Sequence, residues 1–491
     1  MKTPDTYDAL VIGGGVNGLT AAAYLARGGK RTLLVEARET LGGLCETADL
    51  GDGGLAPMVA HTLYALDPRV TSELRLTRYG LKFALRDATI ALLKDATHHL
   101  VLPRDIRAAA RNIAACSKAD AEAWPRYHSA LFALGRSMRA LWWEAGGKPA
   151  PNRLIEQIAR TGTGAWLDSW FESDPLKALL AFDASALSPL DAGSALLLAW
   201  RAAQEMCGLQ ASVAFPAGGP GALSLALAKA CEAAAVEIRT SCGVAELVID
   251  GDRNCGARLH TGDLVTAPLV LSSLSRRTTL VELARGAGLG LAEQSAAGDA
   301  PEIAAAKVLL ALDTIPDGAS LSGLLKGRLI LAERLENYSA AHADARAGRI
   351  PDDLLMEVTF PTIADPSLGS KGRHIASVLV RPVPRDVAGG WEASKTAFAA
   401  KVVSRLNSRI PGLVDHVVAI DVLTPDVLHS RYGAEPDTVD VSRMMADWPA
   451  RVETAIGGLY LCGADADVAP AVSGRPGRIA ATLAIAAAGS R

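Results

Sequence analysis

The sequence predicts an α/β fold in which a Rossmann-like domain is interleaved with an α+β domain. A strand-like run, a glycine cluster, a helical stretch and a second strand-like run follow one another near the start of the chain, which is the pattern of a βαβ unit. A second segment of similar type, a strand followed by an Ala-rich helix, lies near the other end. We therefore expect segments 1–75, 215–295 and 450–491 to form one discontinuous domain, and segments 76–214 and 296–449 to form the other.

The first βαβ unit has a clear pattern of apolar and breaking residues. The apolar run Tyr7–Ile12 predicts a buried parallel strand. Asn17–Arg27 carries leucine and alanine on one helical face, and Gly28 follows it as a stop signal. Arg31–Glu36 predicts the second strand.

The middle of the chain, from Asp105 to about Cys207, has a mostly helical pattern. Asp174 followed by Pro175 marks a helix start, because proline is favoured in the first helical turn. The segment Asp191–Glu205 predicts an amphipathic helix.

Later segments mix strands and helices. Val244–Ile249 and Gly256–His260 flank a short polar turn and predict a hairpin. Leu223–Ala235 predicts a helix, Gly458–Cys462 predicts a strand, and the last helix is expected to begin at about Gly477.

Composition excludes several classes of protein. Lys and Arg together number 50 and Asp and Glu 53, a formal charge of −3, which argues against nucleic-acid binding because that needs a basic surface. Hydrophobic residues make up 49% and charged residues 21%, which excludes wholesale disorder. The longest apolar stretches, such as Ala195–Trp200, are far shorter than the about 20 residues of a membrane-spanning helix.

The seven cysteines are scattered and form no CxxC motif. This excludes a zinc ribbon, argues against a disulfide framework and leaves no predicted metal site. Reduced thiols are typical of the cytoplasm, and no apolar signal segment precedes the first strand-like run. We therefore expect a cytoplasmic protein.

The glycine cluster Gly13-Gly14-Gly15-Val16-Asn17-Gly18 fits the GxGxxG pattern of dinucleotide binding. The first glycine permits a tight turn, the second lets the backbone approach a pyrophosphate, and the third lets helix and strand pack closely. The pyrophosphate would lie at the helix N-terminus, where free N–H groups favour an anion. Glu36, at the end of the second strand, is positioned to accept hydrogen bonds from a ribose diol.

A second glycine pair, Gly42-Gly43, follows Glu36 by six and seven residues. This spacing resembles the extended fingerprint of FAD enzymes of the phytoene desaturase and amine oxidase superfamily. In that fingerprint, the pair adds a second backbone contact to the pyrophosphate, because a residue without a Cβ permits close approach.

Five further segments resemble the phytoene dehydrogenase-like flavoproteins in the same order over nearly the whole chain, and within them the pyridine nucleotide-disulfide oxidoreductase domain 2 group. They are His61–Pro68, Phe215–Gly219, Pro351–Asp353, Tyr432-Gly433 and Gly458–Ala464. The resemblance implies bound FAD and two-electron dehydrogenation of an organic, largely apolar small molecule. It also implies that oxygen or a quinone-like acceptor reoxidises the flavin.

The motif and the resemblance together assign a set of residues to FAD binding. The last helix is included because, by the resemblance, its N-terminus points at the pyrimidine end of the flavin. The set is Gly13, Gly15, Asn17, Gly18, Glu36, Ala37, Arg38, Gly42, Gly43, Leu44, Val244, Gly463, Ala464, Ser473 and Gly474.

One loop departs from the family pattern. Where relatives usually read Gly-Thr-His-Pro-Gly-Gly-Gly, this chain reads Asp465–Ala471, so Asp467 replaces the histidine and the glycines are missing. The His-Gly that usually follows the Tyr-Gly element is also missing, from Asp437–Arg443.

We take Asp465 and Asp467 as candidates for acid–base catalysis or for binding a cationic substrate, with turn capping and solvent exposure as the alternatives. His61 is a candidate residue of the site lining, with a structural role as its alternative.

The altered loop leaves two other functions open. One is a FAD-binding protein with lost or altered catalysis that acts as a binding or assembly factor. The other is an amine oxidase in which Asp467 pairs with a cationic substrate.

Several further features have two interpretations. Cys45 and Cys462 could link covalently to a flavin, but buried packing thiols are the favoured interpretation. Trp142-Trp143 could make a peripheral membrane contact, but packing inside the helical region is favoured. The glycine cluster Gly286–Gly290 follows a helix-like stretch (Leu280–Arg285) instead of a strand, so we reject it as an NAD site. A homodimer stays open.

Overall fold

The computed structural model describes most of the chain. The described residues are 5–51, 54–86, 88–94, 99–147, 153–185, 190–285, 302–316, 323–370, 372–435, 441–469 and 471–489.

The strands are numbered in chain order. They are β1 Asp5–Thr6, β2 Ala9–Ile12, β3 Thr32–Val35, β4 Thr47–Asp49, β5 Leu55–Pro57, β6 Phe83–Leu85, β7 Ala88–Ala91, β8 Leu100–Pro103, β9 Glu205–Met206, β10 Leu209–Gln210, β11 Ala214–Pro216, β12 Glu237–Arg239, β13 Val244–Asp250, β14 Arg253–Leu259, β15 Leu264–Thr266, β16 Leu269–Ser272, β17 Ile303–Leu312, β18 Arg328–Leu331, β19 Met356–Thr359, β20 His374–Pro384, β21 Val417–Leu423 and β22 Leu459–Leu461.

The α-helices begin with the first helix, Val16–Arg27, and end with the C-terminal helix, Arg475–Gly489. Between them lie Pro68–Glu73, Ile106–Ile113, Lys118–Trp143, Arg153–Ile158, Thr163–Asp168, Asp174–Ser185, Leu196–Ala203, Gly221–Ala233, Leu335–Arg346, Pro361–Ala364, Trp391–Asn407, Pro425–Tyr432 and Trp448–Val452.

A five-stranded parallel sheet forms the centre of the dinucleotide-binding part, in the order β12-β3-β2-β16-β22. Its strands are short and apolar because other elements cover both faces. Ala9 and Val11 pack with the first and C-terminal helices, whereas Leu10 and Ile12 pack with a second, mixed sheet. Strands from both ends of the chain share this sheet, so the predicted interleaved fold is confirmed.

The second face of the parallel sheet is covered by a four-stranded sheet in the order β1-β15-β14-β13. Strands β13 and β14 form the predicted antiparallel hairpin around a turn that begins at Gly251. Gly251 has a φ of +61°, a left-handed conformation that glycine adopts without steric cost.

A seven-stranded sheet, in the order β21-β17-β20-β19-β18-β7-β8, forms the centre of the second part. One face is apolar: Val308 of β17 and Val378 of β20 pack in one core with the helix Trp391–Asn407. The opposite face contacts the segment after β5 and carries charged side chains, among them Lys307 and Glu357. This second face is therefore the one turned toward the dinucleotide-binding part.

The predicted helical region is confirmed, with one correction. The segment Asp191–Glu205 was expected to be amphipathic, but its helix spans only Leu196–Ala203, and all its residues except Arg201 are buried. It is buried because the long helix Lys118–Trp143 packs on it so closely that a Cβ on Gly135 would lie 2.7 Å from the backbone nitrogen of Ala203.

Two other expectations have different outcomes. The helix-like stretch Leu280–Arg285 is a wide π-helical turn over Thr278–Leu283 instead of an α-helix. Gly286–Gly290 and residues 437–440 lie outside the described residues. Within the described part of the chain, no helix is long and apolar enough to cross a bilayer. The proposed domain boundaries stay a prediction.

Candidate functional site

The first glycine loop connects β2 to the first helix. Gly13 has a φ of +95° and donates from its N–H to the Val35 carbonyl at 2.8 Å. A Cβ on Gly18 would overlap the carbonyl oxygen of Gly13, so a glycine is required there for the helix to approach the strand. A Cβ on Gly15 would meet no atom within 4 Å. The helix N-terminus therefore has open space in front of it.

Glu36 is held against this loop by backbone donors. Its Oε2 accepts from the N–H of Gly14 at 2.6 Å, and its Oε1 accepts from the N–H of Arg38 at 2.9 Å. A carboxylate offers about four lone-pair sites, so acceptor capacity remains for a ribose diol.

The second glycine loop contacts the first. Gly42 (φ +117°) donates from its N–H to the Gly14 carbonyl at 2.8 Å and pairs with Gly15 as an isolated parallel bridge. A Cβ on Gly43 (φ +53°) would lie 3.3 Å from the Cα of Gly15. The two loops therefore form one surface with no side chain on it.

Asn17, in the first turn of the first helix, adds an unpaired acceptor beside this surface. Its Oδ1 is buried and has no hydrogen-bond partner among the described residues. A buried acceptor without a partner costs about 1–3 kcal/mol, so a ligand donor at this position would recover stability. The glycine surface, the helix N-terminus and this acceptor together fit a dinucleotide.

Two segments beyond the loops complete this region. Leu44 of the second loop accepts from the N–H of Ala60 at 3.0 Å. Ala37 lies against Gly243, the residue before the buried Val244 that begins β13, because a Cβ on Gly243 would be 3.3 Å from the Ala37 Cβ.

Arg38 connects the cofactor region to the helix Pro425–Tyr432. It donates to Glu46 at 2.7 Å and its guanidinium lies 4.6 Å from the ring centroid of Tyr432. Tyr432 donates to the same carboxylate at 2.5 Å. Burial alone would raise the pKa of Glu46, but the Tyr432 and Arg38 hydrogen bonds outweigh it and leave that pKa below its usual value.

The altered loop follows β22 and begins with Gly463 and Ala464. A Cβ on Gly463 would lie 2.6 Å from the Leu274 carbonyl oxygen, so this loop packs tightly against the end of β16. Asp465 accepts from the backbone N–H of Arg276. Burial raises the pKa of Asp465, and the hydrogen bond and charge of Arg276 oppose the rise.

Asp467 is buried and paired. It accepts from the Ser473 hydroxyl at 2.5 Å and from the Val468 N–H at 2.7 Å, and its Oδ1 lies 3.7 Å from Nη1 of Arg475. Burial raises the pKa of Asp467, and the nearby Arg475 charge opposes the rise. The carboxylate faces the start of the C-terminal helix and is shielded from solvent; its catalytic role stays a prediction.

Arg475 is the centre of this charge network. It is fully buried, lies 3.6 Å from Asp67 on one side and 3.7 Å from Asp467 on the other, and reaches Gln204 at 3.2 Å. Arg478, one turn later, donates to Asp67 at 3.1 Å. The first turn of the C-terminal helix is therefore held by two buried carboxylates.

This turn also lies against the cofactor region. A Cβ on Gly477 would overlap the carbonyl oxygen of Asn17, and a Cβ on Gly474 would lie 3.0 Å from the Thr20 hydroxyl. The C-terminal helix therefore begins directly beside the first turn of the first helix.

The tryptophan pair belongs to the same packing. Trp142 is fully buried and donates from Nε1 to the Met444 carbonyl at 2.9 Å. Trp143 lies between two guanidinium groups, with the Arg139 group at 4.5 Å and the Arg475 group at 5.1 Å from its ring centroid. Trp142 is therefore a core residue, and Trp143 is largely covered by arginines.

Cys45 and Cys462 are buried thiols, 1% and 0% exposed. Burial raises the pKa of Cys45 to about 12 and that of Cys462 further. Both are therefore protonated at neutral pH, which makes them unreactive.

His61 lies in a buried cluster on the inward face of the seven-stranded sheet. Its Nδ1 is 3.1 Å from the Ser377 hydroxyl and its Nε2 is 3.2 Å from Oε1 of Glu357. Glu357 also accepts from Arg328 at 2.7 Å, and Arg328 pairs with Asp183 at 2.5 Å.

Burial and the nearby Lys307 charge lower the pKa of His61 to about 4, so the imidazole is neutral at pH 7. Burial alone would raise the pKa of Glu357, but Arg328 and His61 hold it well below its usual value. Burial also lowers the pKa of Lys307 well below its usual value.

Sequence reasoning missed every member of this cluster except His61. A signal was present: Lys307 is the one charged residue in the ten-residue apolar strand β17, and Glu357 lies inside the buried strand β19. A charge within a strand buried on both faces indicates an internal ion pair or a ligand site.

Comparisons with known proteins agree with this geometry. Residues 11–74 match the model of the NAD(P)-binding Rossmann-like domain. Pyridine nucleotide-disulfide oxidoreductase domain-containing protein 2 of Mus musculus is 30% identical, over 97% of this chain and 92% of that protein. Prolycopene isomerase of Arabidopsis thaliana is 22% identical, over 93% and 78%. The structure of a putrescine oxidase variant superposes with a TM-score of 0.67 at 13% identity and covers both chains fully.

The neutral state of His61 predicts a pH dependence of stability. The folded-state pKa of about 4 lies below the unfolded value of 6.5, so the unfolded state binds the proton more tightly. The stabilisation is complete above about pH 6.5 and is lost as the pH falls toward 4; between pH 7 and 5 the loss is about 2 kcal/mol. Urea unfolding of the native chain and of His61→Gln at both pH values measures this. Equal losses in the two proteins would contradict the assignment.

Proposed function

The chain belongs to the family of the pyridine nucleotide-disulfide oxidoreductase domain-containing protein 2 proteins, and we propose that it is a FAD-dependent oxidoreductase. It carries out two-electron dehydrogenation of an organic small molecule. FAD binds non-covalently, and oxygen or a quinone-like acceptor reoxidises it.

The surface formed by the two glycine loops is the observation that supports FAD. Gly15 and Gly43 leave backbone exposed at the helix N-terminus, and Oδ1 of Asn17, which is buried without a partner among the described residues, would accept from a hydroxyl of the dinucleotide. A pyrophosphate needs backbone donors at close range and no Cβ in the way. The backbone N–H groups of Gly14 and Arg38 hold the Glu36 carboxylate beside the loop. There it would accept hydrogen bonds from the hydroxyls of the adenosine ribose.

FAD, when bound, supplies the hydride acceptor. The chain's own contribution is binding, orientation and charge. The first turn of the C-terminal helix carries Arg475 and Arg478, and its N-terminus favours negative charge. The two arginines are balanced by Asp67 and Asp467, so this end of the site is close to neutral overall.

The substrate would lie between the cofactor and the inward face of the seven-stranded sheet. Part of that face is apolar and already covered, since Leu309, Ile375 and Leu423 pack in a core with Met58 and Leu428. His61 would line this region, and Asp465 and Asp467 would act at the altered loop. The likeness to prolycopene isomerase supports an apolar substrate body.

Two rival functions make different predictions. A FAD-binding assembly factor would hold the flavin without reducing it. An amine oxidase would be reduced by amines, and the fold of putrescine oxidase is compatible with it. Anaerobic mixing with pools of metabolites, followed at the flavin absorption band, distinguishes these two functions from the proposed one. Bleaching of the band by a non-amine supports the proposal.

A cytoplasmic location and a homodimer are part of the same proposal.

Gly15→Val tests the cofactor surface without disturbing the fold. A side chain there meets no protein atom, so the variant should fold normally, but the branched group would fill the space of the pyrophosphate. Flavin absorbance per purified chain should fall to background, while the circular dichroism spectrum and the melting temperature of the apoprotein stay unchanged.

Gly323→Val is the matched control, because Gly323 also has open space around its Cβ position and lies in the second part of the chain. It should retain full flavin content. Flavin retained by Gly15→Val would mean that the pyrophosphate lies elsewhere.

Asp467→Asn tests the charge balance at the C-terminal helix. Removing this carboxylate leaves Arg475 with one anionic partner fewer, so reduced flavin, which is more negative, should become easier to form. A partly screened charge is worth about 1–2 kcal/mol, which for two electrons raises the reduction potential by about 20–45 mV. Dye-coupled titration measures the potential.

Asp352→Asn is the control for this experiment, since it also removes one carboxylate, but an exposed one that pairs with Lys401 in the second part of the chain. Its potential should stay within a few millivolts of the native value. An unchanged potential in Asp467→Asn would show that the carboxylate does not act on the flavin.

A further inference from the structure

The inward face of the seven-stranded sheet holds more buried positive than negative charge. Among the residues that the structure describes, four cations meet there, on β17, β18, β20 and the helix Leu196–Ala203, with two carboxylates, on β19 and the helix Asp174–Ser185. The cations are Lys307, Arg328, Arg381 and Arg201, and the carboxylates are Asp183 and Glu357.

The two carboxylates are already occupied. Asp183 pairs with Arg328 at 2.5 Å and with Arg201 at 3.2 Å. Glu357 pairs with Arg328 at 2.7 Å and accepts from the Thr62 hydroxyl at 3.1 Å. Arg328 therefore takes most of the available negative charge.

Neither of the other two cations, Lys307 and Arg381, forms an ion pair with Asp183 or Glu357 in the described part of the chain. Lys307 is 0% exposed and Arg381 is 8% exposed; among the described residues, Nζ of Lys307 and Nε of Arg381 are buried with no partner. The Arg381 charge contributes to lowering the pKa of Lys307, because two like charges repel. An uncompensated charge in the interior costs several kcal/mol.

The strand register places the side chains of Lys307 and Arg381 on the same face of the sheet. Lys307 is opposite Leu379, and Leu379 is opposite Glu357, so all three share the inward face. Between the pairs Ala304–Val383 and Ala306–Val380 the register slips by one residue, at Arg381-Pro382. Arg381 lies two residues after Leu379 on β20, so strand alternation places it on the face of Lys307.

This place adjoins the cofactor surface. Ala60 donates to the carbonyl of Leu44, in the second glycine loop, at 3.0 Å, and His61 follows at once with its ring against Glu357. An aromatic wall is also present: Tyr64 lies edge-on to Trp200 at 6.1 Å and under the guanidinium of Arg201 at 4.8 Å.

We propose that Lys307 and Arg381 bind the carboxylate of the substrate, which is an organic acid with a largely apolar body. This rests on the proposed function and specifies its substrate class. The carboxylate supplies the missing negative charge, and the aromatic wall at Tyr64 contacts the apolar body of the molecule. A cationic amine is excluded from this position by the same surplus of positive charge.

Binding should be coupled to proton uptake. In the ligand-free protein, burial and the Arg381 charge lower the pKa of Lys307, whereas the Glu357 charge raises it. His61 stays neutral, and Arg328 is paired with Glu357. A bound carboxylate favours the charged ammonium, so part of one proton enters the protein on binding, and affinity should fall as pH rises.

The experiment is isothermal titration calorimetry of purified, FAD-loaded protein with three probes of one length: hexanoate, hexanamide and hexylamine. Hexanoate should bind about 10- to 150-fold more tightly than hexanamide, the range expected for losing a hydrogen bond to a charged group. Hexylamine should bind most weakly. Titration in two buffers of different ionisation enthalpy should show proton uptake with hexanoate alone.

Lys307→Met separates a ligand site from a structural charge. It should abolish the preference for hexanoate and the proton uptake, yet raise the melting temperature of the ligand-free protein, because a buried cation without a partner is removed. Lys401→Met is the matched control, because Lys401 is a half-buried lysine that pairs with Asp352 at 3.1 Å, and it should change neither. Lys307→Gln serves if the methionine variant does not fold.

Several results would overturn the proposal. One is equal binding of hexanoate and hexanamide, another is tighter binding of hexylamine, and a third is chloride or inorganic phosphate competing as strongly as hexanoate. A Lys307→Met protein that melts lower and still prefers hexanoate would assign the lysine to structure. FAD is quantified in the same samples, so a failure of the cofactor proposal is distinguished from a failure of the carboxylate proposal.

Discussion

The contact between the two glycine loops is the constraint on which the site depends. The Gly42 N–H donates to the Gly14 carbonyl at 2.8 Å, and a Cβ on Gly43 would lie 3.3 Å from the Cα of Gly15, so this close approach favours a glycine at position 43. That contact fixes the segment leading from Leu44 to His61, which carries the imidazole onto the inward face of the seven-stranded sheet. One backbone approach therefore positions both the cofactor surface and the start of the substrate region.

Buried charge is arranged differently on the two sides of this region. At the C-terminal helix, Arg475 lies between Asp67 and Asp467 and the charges balance, which is what holding a helix end requires. On the sheet face, no carboxylate pairs with Lys307 or Arg381 among the described residues, so positive charge is in excess there. A balanced network stabilises a fold, whereas an unbalanced one stores free energy that a ligand of opposite charge can release.

The sequence predicted what is local and missed what is long-range. The βαβ unit, the hairpin at Val244 and the two-ended parallel sheet follow from apolar runs, glycines and turns, each carried by a few neighbouring residues. The resemblance to flavoproteins added the second glycine pair. Asp467 could be flagged as unusual, but its burial against Arg475 depends on how the C-terminal helix packs. The charged cluster joins six elements, and its members Asp183 and Arg381 are about two hundred residues apart, so no local pattern pairs Lys307 with Arg381.

The identity and amount of flavin in the purified protein test the central claim most directly. Acid denaturation should release about one FAD per chain, measured by chromatography against FAD and FMN standards, either as isolated or after reconstitution. A dinucleotide is required because the two glycine loops are built around a pyrophosphate. Protein that releases FMN, or that stays colourless with added FAD while remaining folded, would contradict the account.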